Sequence, residues 1–140
     1  MYKDLVYAKN QLVQNGFTCV LCKADVVYTS CERGISPLLT LYDAGTNLKD
    51  FYAADKVVGK GAAHLYILFK IKALYAEIIS QGAKQLLEQN GIEVFYKEQT
   101  TRILNRDKTG YCPIETAVLD TDNPQDAVLK IRNTLKELRK

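Results

Sequence analysis

Hydrophobic and polar positions alternate along the chain in segments that switch between helical and strand periods. Leu5, Ala8, Leu12 and Val13 recur near helical spacing, and Gly16 is a natural stop, so residues 3–15 are predicted to form an amphipathic helix. Two β-rich runs follow at 17–23 and 26–32, joined by Ala24-Asp25, a connection short enough for a hairpin. Ser36-Pro37 then opens a short helix through Tyr42, with Ser36 expected at the N-cap and Pro37 in the first turn. Residues 45–56 read as a loop with a helical turn near Leu48–Tyr52. Residues 57–71 carry a helical pattern that is apolar on most faces, which predicts burial.

The second half repeats the alternation of strand and helix. Residues 73–79 read as a buried strand, Ser80 as the cap of a helix over 81–89, and Asn90-Gly91 as its end. Residues 92–97 form another expected strand. A polar stretch, 98–111, leads to Cys112-Pro113 and a short helix over 114–119. Asp122 or Asn123 with Pro124 starts a last helix with Ala127, Val128, Ile131, Leu135 and Leu138 on one stripe. The predicted order is α-β-β-α-α-β-α-β-α-α. It implies a single domain over 1–140, a three-layer α/β/α sandwich whose mixed sheet is antiparallel at its first hairpin and partly parallel beyond.

Composition narrows the chemistry. The 140 residues hold 47% hydrophobic and 25% charged residues, as expected of one globular domain with a sizeable core. No apolar run approaches the roughly 18 residues of a membrane span, and the first residues lack a signal pattern, so no membrane association and a cytoplasmic location are expected. A net charge of +3 without a concentrated basic face argues against nucleic-acid binding. The basic residues near the C-terminus (Lys130, Arg132, Lys136, Arg139, Lys140) suit the end of a helix dipole. One histidine, His64, rules out a His-rich metal site within the chain, and its place in an apolar helix suits a satisfied core histidine. Cys19 and Cys22 lie three apart on a predicted strand, hence on opposite faces, and cannot share a metal. No metal and no cofactor are expected.

In open sheets, ligands gather where helices start beyond the carboxyl ends of strands. Three starts qualify. In Gly59-Lys60-Gly61 the glycines permit close approach and Lys60 adds charge at the positive end of a helix, which suits a phosphate or carboxylate. The competing reading is that the small residues serve close packing. At the second start, Ser80 suits a plain N-cap better than a nucleophile. Glu77, a carboxylate in an apolar strand, is either a site residue or salt-bridged at a sheet margin. The third runs from Asn105-Arg106 to Cys112-Pro113. Cys112 at an N-cap, where the dipole favours a thiolate, is the one cysteine with a case as nucleophile, against a structural cap or a phosphate-binding loop.

Taken together, Gly34-Ile35-Ser36-Pro37-Leu38-Leu39, Asp55-Lys56-Val57-Val58-Gly59-Lys60-Gly61-Ala62-Ala63, Tyr75-Ala76-Glu77-Ile78-Ile79-Ser80, and Asn105-Arg106 with Cys112-Pro113-x-Glu115 resemble an uncharacterised prokaryotic family. That family is a domain of unknown function with a cytidine deaminase-like fold, and the resemblance spans roughly residues 15–120. The wider superfamily holds zinc through a His or Cys at one core helix start and a Pro-Cys-x-x-Cys at the next, with a Glu as proton shuttle. The corresponding positions here read Gly59-Lys60-Gly61 and Ile79-Ser80-Gln81-Gly82-Ala83, so the zinc motifs are absent. The resemblance implies a zinc-free deaminase-like domain. The function expected first is binding of a nucleotide or related phosphorylated small molecule by Gly59, Lys60, Gly61, Glu77, Ser80, Asn105 and Arg106. A homo-oligomeric, non-catalytic interaction module and a metal-independent enzyme using Cys112 are the alternatives.

Overall fold

A computed structural model describes residues 2–32, 34–104 and 110–138. The chain runs α1 (Lys3–Asn15), β1 (Cys19–Lys23), β2 (Val26–Ser30), α2 (Ser36–Asp43), β3 (Tyr52–Val58), α3 (Lys60–Phe69), β4 (Ala73–Ser80), α4 (Gln81–Gln89), β5 (Glu93–Thr100), α5 (Pro113–Ala117) and α6 (Pro124–Leu138). The five strands form one mixed sheet in the order β2-β1-β3-β4-β5. β1 is antiparallel to both β2 and β3, whereas β3, β4 and β5 are mutually parallel. The expected hairpin is present, and Ala24 in its turn takes the left-handed conformation with φ 52°.

Side-chain alternation divides the core between the two faces of this sheet. On one face Val20, Cys22, Ala54, Ala73 and Tyr75 pack with Leu5, Ala8 and Leu12 of α1. On the other, Cys19, Leu21, Ala53, Leu74, Ala76 and Ile79 pack beneath Leu38, Leu65, Leu86 and Ile131, from α2, α3, α4 and α6. The α/β/α layering is therefore one helix against several. Cys19 and Cys22 fall on opposite faces, as their spacing requires. Cys31 lies just beyond the end of β2 and is exposed, not within a strand. Among the described residues no helix is long and apolar enough to cross a membrane.

The segment 45–56, expected as a loop, is a loop only in its first part. Residues 48–51 do make a turn, with the Phe51 N–H donating to Leu48 O at 3.1 Å. Tyr52–Val58, however, is a central strand, and the helix expected from residue 57 begins at Lys60. The strand reads Tyr-Ala-Ala-Asp-Lys-Val-Val, whose alanines and charges have low β-propensity. It forms because β1 and β4 flank it, and alanine fits where α1 and α3 press on its two sides: Ala53 and Ala54 are both fully buried. Ser36 is likewise not an N-cap. The cap position is Ile35, and Ser36 already belongs to the helix.

Beneath α3 the same strand carries a short polar chain. The Tyr66 hydroxyl donates to Asp55 Oδ2 at 2.7 Å, and Cys19 Sγ lies 3.5 Å from the Tyr66 oxygen. Burial pushes the Asp55 carboxyl up to about 7, against hydrogen bonds from Tyr66, Val57 and Lys56 that pull the other way. Burial likewise raises the Cys19 thiol, which leaves it inert. Because Asp55 holds its proton more tightly in the folded than in the unfolded chain, its contribution favours folding in acid. That contribution is lost as pH rises from the unfolded value of about 4 through about 7. Asp55→Asn keeps an acceptor for Tyr66 and removes the buried charge. We expect it to raise stability at pH 8 by on the order of 1–3 kcal/mol and to leave it little changed near pH 4, as measured by urea unfolding at the two pH values. Equal effects at both would contradict this assignment.

Candidate functional site

β3 and β4 end side by side, with Val58 opposite Ile79, so α3 and α4 start at the same end of the sheet. Gly59 is the N-cap of α3 and Ser80 that of α4. The Ser80 hydroxyl oxygen accepts from the Ala83 N–H at 3.2 Å, the capping bond expected of it. Gly59 offers no side chain, so the first N–H groups of α3 need another acceptor.

That acceptor is Glu115, from α5. Its Oε2 accepts from the Lys60 N–H at 2.5 Å, and its Oε1 accepts from the Ser80 hydroxyl at 3.3 Å. One carboxylate thus joins both helix starts, and its residue is only 4% exposed. The glycines are what admit it. A Cβ on Gly59 would collide with Glu115 Oε2, and one on Gly61 would stand 2.9 Å from Ile114 Cγ2, with Ile131 of α6 just behind. Gly59 has a φ of −101°, which any residue adopts, so space and not backbone conformation excludes a side chain there. A Cβ on Gly82 would meet the Lys60 stem at 3.3 Å, so this lysine lies across the first turn of α4.

The Lys60 ammonium donates to Leu119 O at 2.8 Å and stands 3.8 Å from Asp122. Arg102 donates to Thr116 Oγ1 at 3.0 Å and stacks on Tyr111, its guanidinium carbon 3.8 Å from the ring centroid. Burial raises the Glu115 pKa. The Lys60 N–H, the Ser80 hydroxyl and the charges of Lys60 and Arg102 only partly offset that rise. The buried Arg102 Nε finds no acceptor among the described residues.

The structure brings Gly59, Lys60, Gly61 and Ser80 together at this point. Glu77 is not with them. Strand alternation puts it with Tyr75 on the α1 side of the sheet, where its charge raises the Tyr75 hydroxyl pKa second to burial. Asn105 and Arg106 lie outside the described residues. Cys112 is the N-cap of α5, half-buried, and makes no side-chain capping bond. His64 is fully buried, and its Nε2 pairs with Thr121 O at 2.9 Å, whereas Nδ1 has no partner among the described residues. Burial lowers the His64 pKa, which keeps the ring neutral.

Sequence reasoning missed Glu115 and Arg102 as members of this cluster. The signal for Glu115 was a carboxylate three residues after an N-cap, a spacing that reads as complementing its own helix. Its actual partner is the start of another helix, 55 residues away in sequence. Zinc does not fit here. The helix starts present Gly, Lys and Ser, and among the described residues no three His, Cys, Asp or Glu side chains gather as a metal set.

These features define a class: an α/β domain with a mixed five-stranded sheet, in which two adjacent helix starts share a carboxylate supplied by the chain itself. The model of the family described as TM1506, Domain of unknown function (DUF1893), matches residues 7–135, and the chain belongs to that family. The crystal structure of a DUF1893 family protein (TM1506) from Thermotoga maritima is similar to it at 27% identity with a TM-score of 0.85. The match covers 98% of this chain and 92% of that one. Comparison with curated proteins found no match.

The contact between Gly59 and Glu115 gives a direct test. Gly59→Ala should destabilise the protein by about 2 kcal/mol or more, because the methyl group displaces a buried, hydrogen-bonded carboxylate. In a Glu115→Ala background the same change should cost much less, with about 1 kcal/mol or more of coupling in a double-mutant cycle read by chemical denaturation. Additive effects would show that the two residues do not share the space.

Proposed function

We propose that this is a zinc-free domain of cytidine deaminase-like arrangement that binds a nucleotide or a related phosphorylated small molecule at the starts of α3 and α4. Three things support the arrangement: the strand order β2-β1-β3-β4-β5, the antiparallel β1–β2 hairpin, and the helices that follow the parallel strands β3 and β4. The superfamily places its metal at those two helix starts, and here their residues suit an anion instead.

The observation that carries the ligand class is the seated carboxylate of Glu115, held by a helix N–H and a hydroxyl with two cations nearby. The donors that hold a carboxylate also suit a phosphoryl oxygen, and the positive end of α3 favours negative charge. Lys60 and Arg102 provide further positive charge beside it. The alternative of Cys112 as a nucleophile has only its position at the start of the five-residue α5 behind it.

The test is a thermal-shift series with nucleosides, their mono-, di- and triphosphates, and inorganic phosphate. At least one phosphorylated compound should raise Tm by several degrees where its parent nucleoside does not, and Lys60→Ala should abolish the shift. If no phosphorylated compound stabilises either the wild type or Glu115→Ala, the reading fails.

A further inference from the structure

We propose that β2 is a self-association edge: two copies of the chain pair antiparallel along Val26–Ser30, about a two-fold axis at Tyr28, and their sheets run on into one another. The pairing is independent of any ligand at the start of α3.

The two outer strands of the sheet are built differently. β5 carries Glu93, Lys97 and Glu98, charges that discourage a further strand from adding to it. β2 reads Val-Val-Tyr-Thr-Ser, with no charge and no proline, and its register with β1 is unbroken by a bulge. Most of these residue types favour strands. β1 is the element that holds β2, and no helix packs over it to a comparable extent. Val26 and Val27 are accordingly 47% and 38% exposed. β2 thus lacks the usual devices that keep an edge single.

A second copy is the occupant that this edge matches. Lys23 and Val26 close a two-residue turn as a hydrogen-bonded pair, so Val26, Tyr28 and Ser30 aim their backbone groups at β1. The Ser30 carbonyl accepting from the Thr18 N–H at 2.8 Å agrees with this. Val27 and Thr29 therefore aim their N–H and C=O outwards. A two-fold axis at Tyr28 brings Val27 opposite Thr29 of the partner subunit, and Thr29 opposite Val27 of the partner subunit. Each outward N–H then meets a carbonyl, four bonds form, and neither residue keeps an unpaired backbone group. The side chains agree with the backbone, since β-branched Val27 and Thr29 face each other on one side of the sheet. Pairing along these five residues buries no charge. Two strands of this length cover less than the roughly 800 Å² per partner of a standard interface, so the dimer forms in the micromolar range.

Sedimentation velocity on the full chain, from about 1 to about 300 μM, tests this. The mass should climb with concentration from that of one chain towards that of two. Thr29→Pro removes an outward N–H that β1 does not use, and it should weaken association at least tenfold while leaving the circular dichroism spectrum unchanged. Disulfide trapping reads the register even if the proline variant does not fold. In a Cys31→Ser background, Tyr28→Cys places two thiols across a pair whose Cα atoms are about 4.5 Å apart, and mild oxidation should link the chains. Thr29→Cys in the same background sets its thiols on a diagonal of about 8 Å, and should link at least tenfold more slowly. A chain that stays monomeric throughout would overturn the proposal. So would a dimer that Thr29→Pro leaves intact, or one in which the two cysteine variants cross-link equally or not at all.

Discussion

The interaction on which this end of the molecule depends is one buried carboxylate spanning two helix starts. Each α-helix begins with N–H groups that have no partner in their own helix, and a glycine N-cap supplies none. Glu115 answers that need for α3 while accepting from the serine that caps α4. Much of the local sequence follows from this. Gly59 must lack a side chain for the carboxylate to arrive, Gly61 must lack one for Ile114 and Ile131 to close behind it, and Gly82 leaves a path for the Lys60 stem. The chain reaches the site after β5, where the Cys112 N–H bonds back to Ile103 O before α5 begins. The packing of α5 and α6 over α3 is organised around the same point.

Such a contact is costly as a structural device. A neutral side chain of similar shape avoids the desolvation of a carboxylate, and two hydrogen bonds do not fully repay it. Asp55, on β3 shortly before Gly59, repeats the pattern, its carboxyl pushed by burial up to about 7 beneath Tyr66. Burial raises both carboxyls, so each contributes stability in acid that is lost as pH rises. On the proposed reading, the Glu115 carboxylate marks the donors that a phosphoryl oxygen would use.

The fold was largely legible because most elements obey local rules. α1 shows its stripe and its glycine stop, Ser80 its cap, and β4 its apolar run. β3 was not legible because its identity is imposed by neighbours: two alanines are weak strand formers, yet they are what a doubly covered central strand can accommodate. The site was half legible. Glycines beside a lysine at a helix start admitted two readings, an anion seat and a packing contact, and the structure shows the packing contact, made with the chain's own Glu115 carboxylate. What fills the seat was hidden because Glu115 and Lys60 are brought together only by tertiary folding, and no periodicity links residues 55 apart. Glu77 misled for the opposite reason, since an isolated charge in an apolar strand draws attention whichever face it takes.

The central claim is that the Glu115 carboxylate sits on the start of α3, and NMR titration tests it most directly. With the Glu115 side-chain carboxyl carbon and the Lys60 amide followed together from pH 3 to 9, both signals should move with one midpoint, above the ordinary glutamate range. The Lys60 response should vanish in Glu115→Gln. A Lys60 amide indifferent to pH, beside a Glu115 that titrates like a solvent-exposed glutamate, would contradict the account.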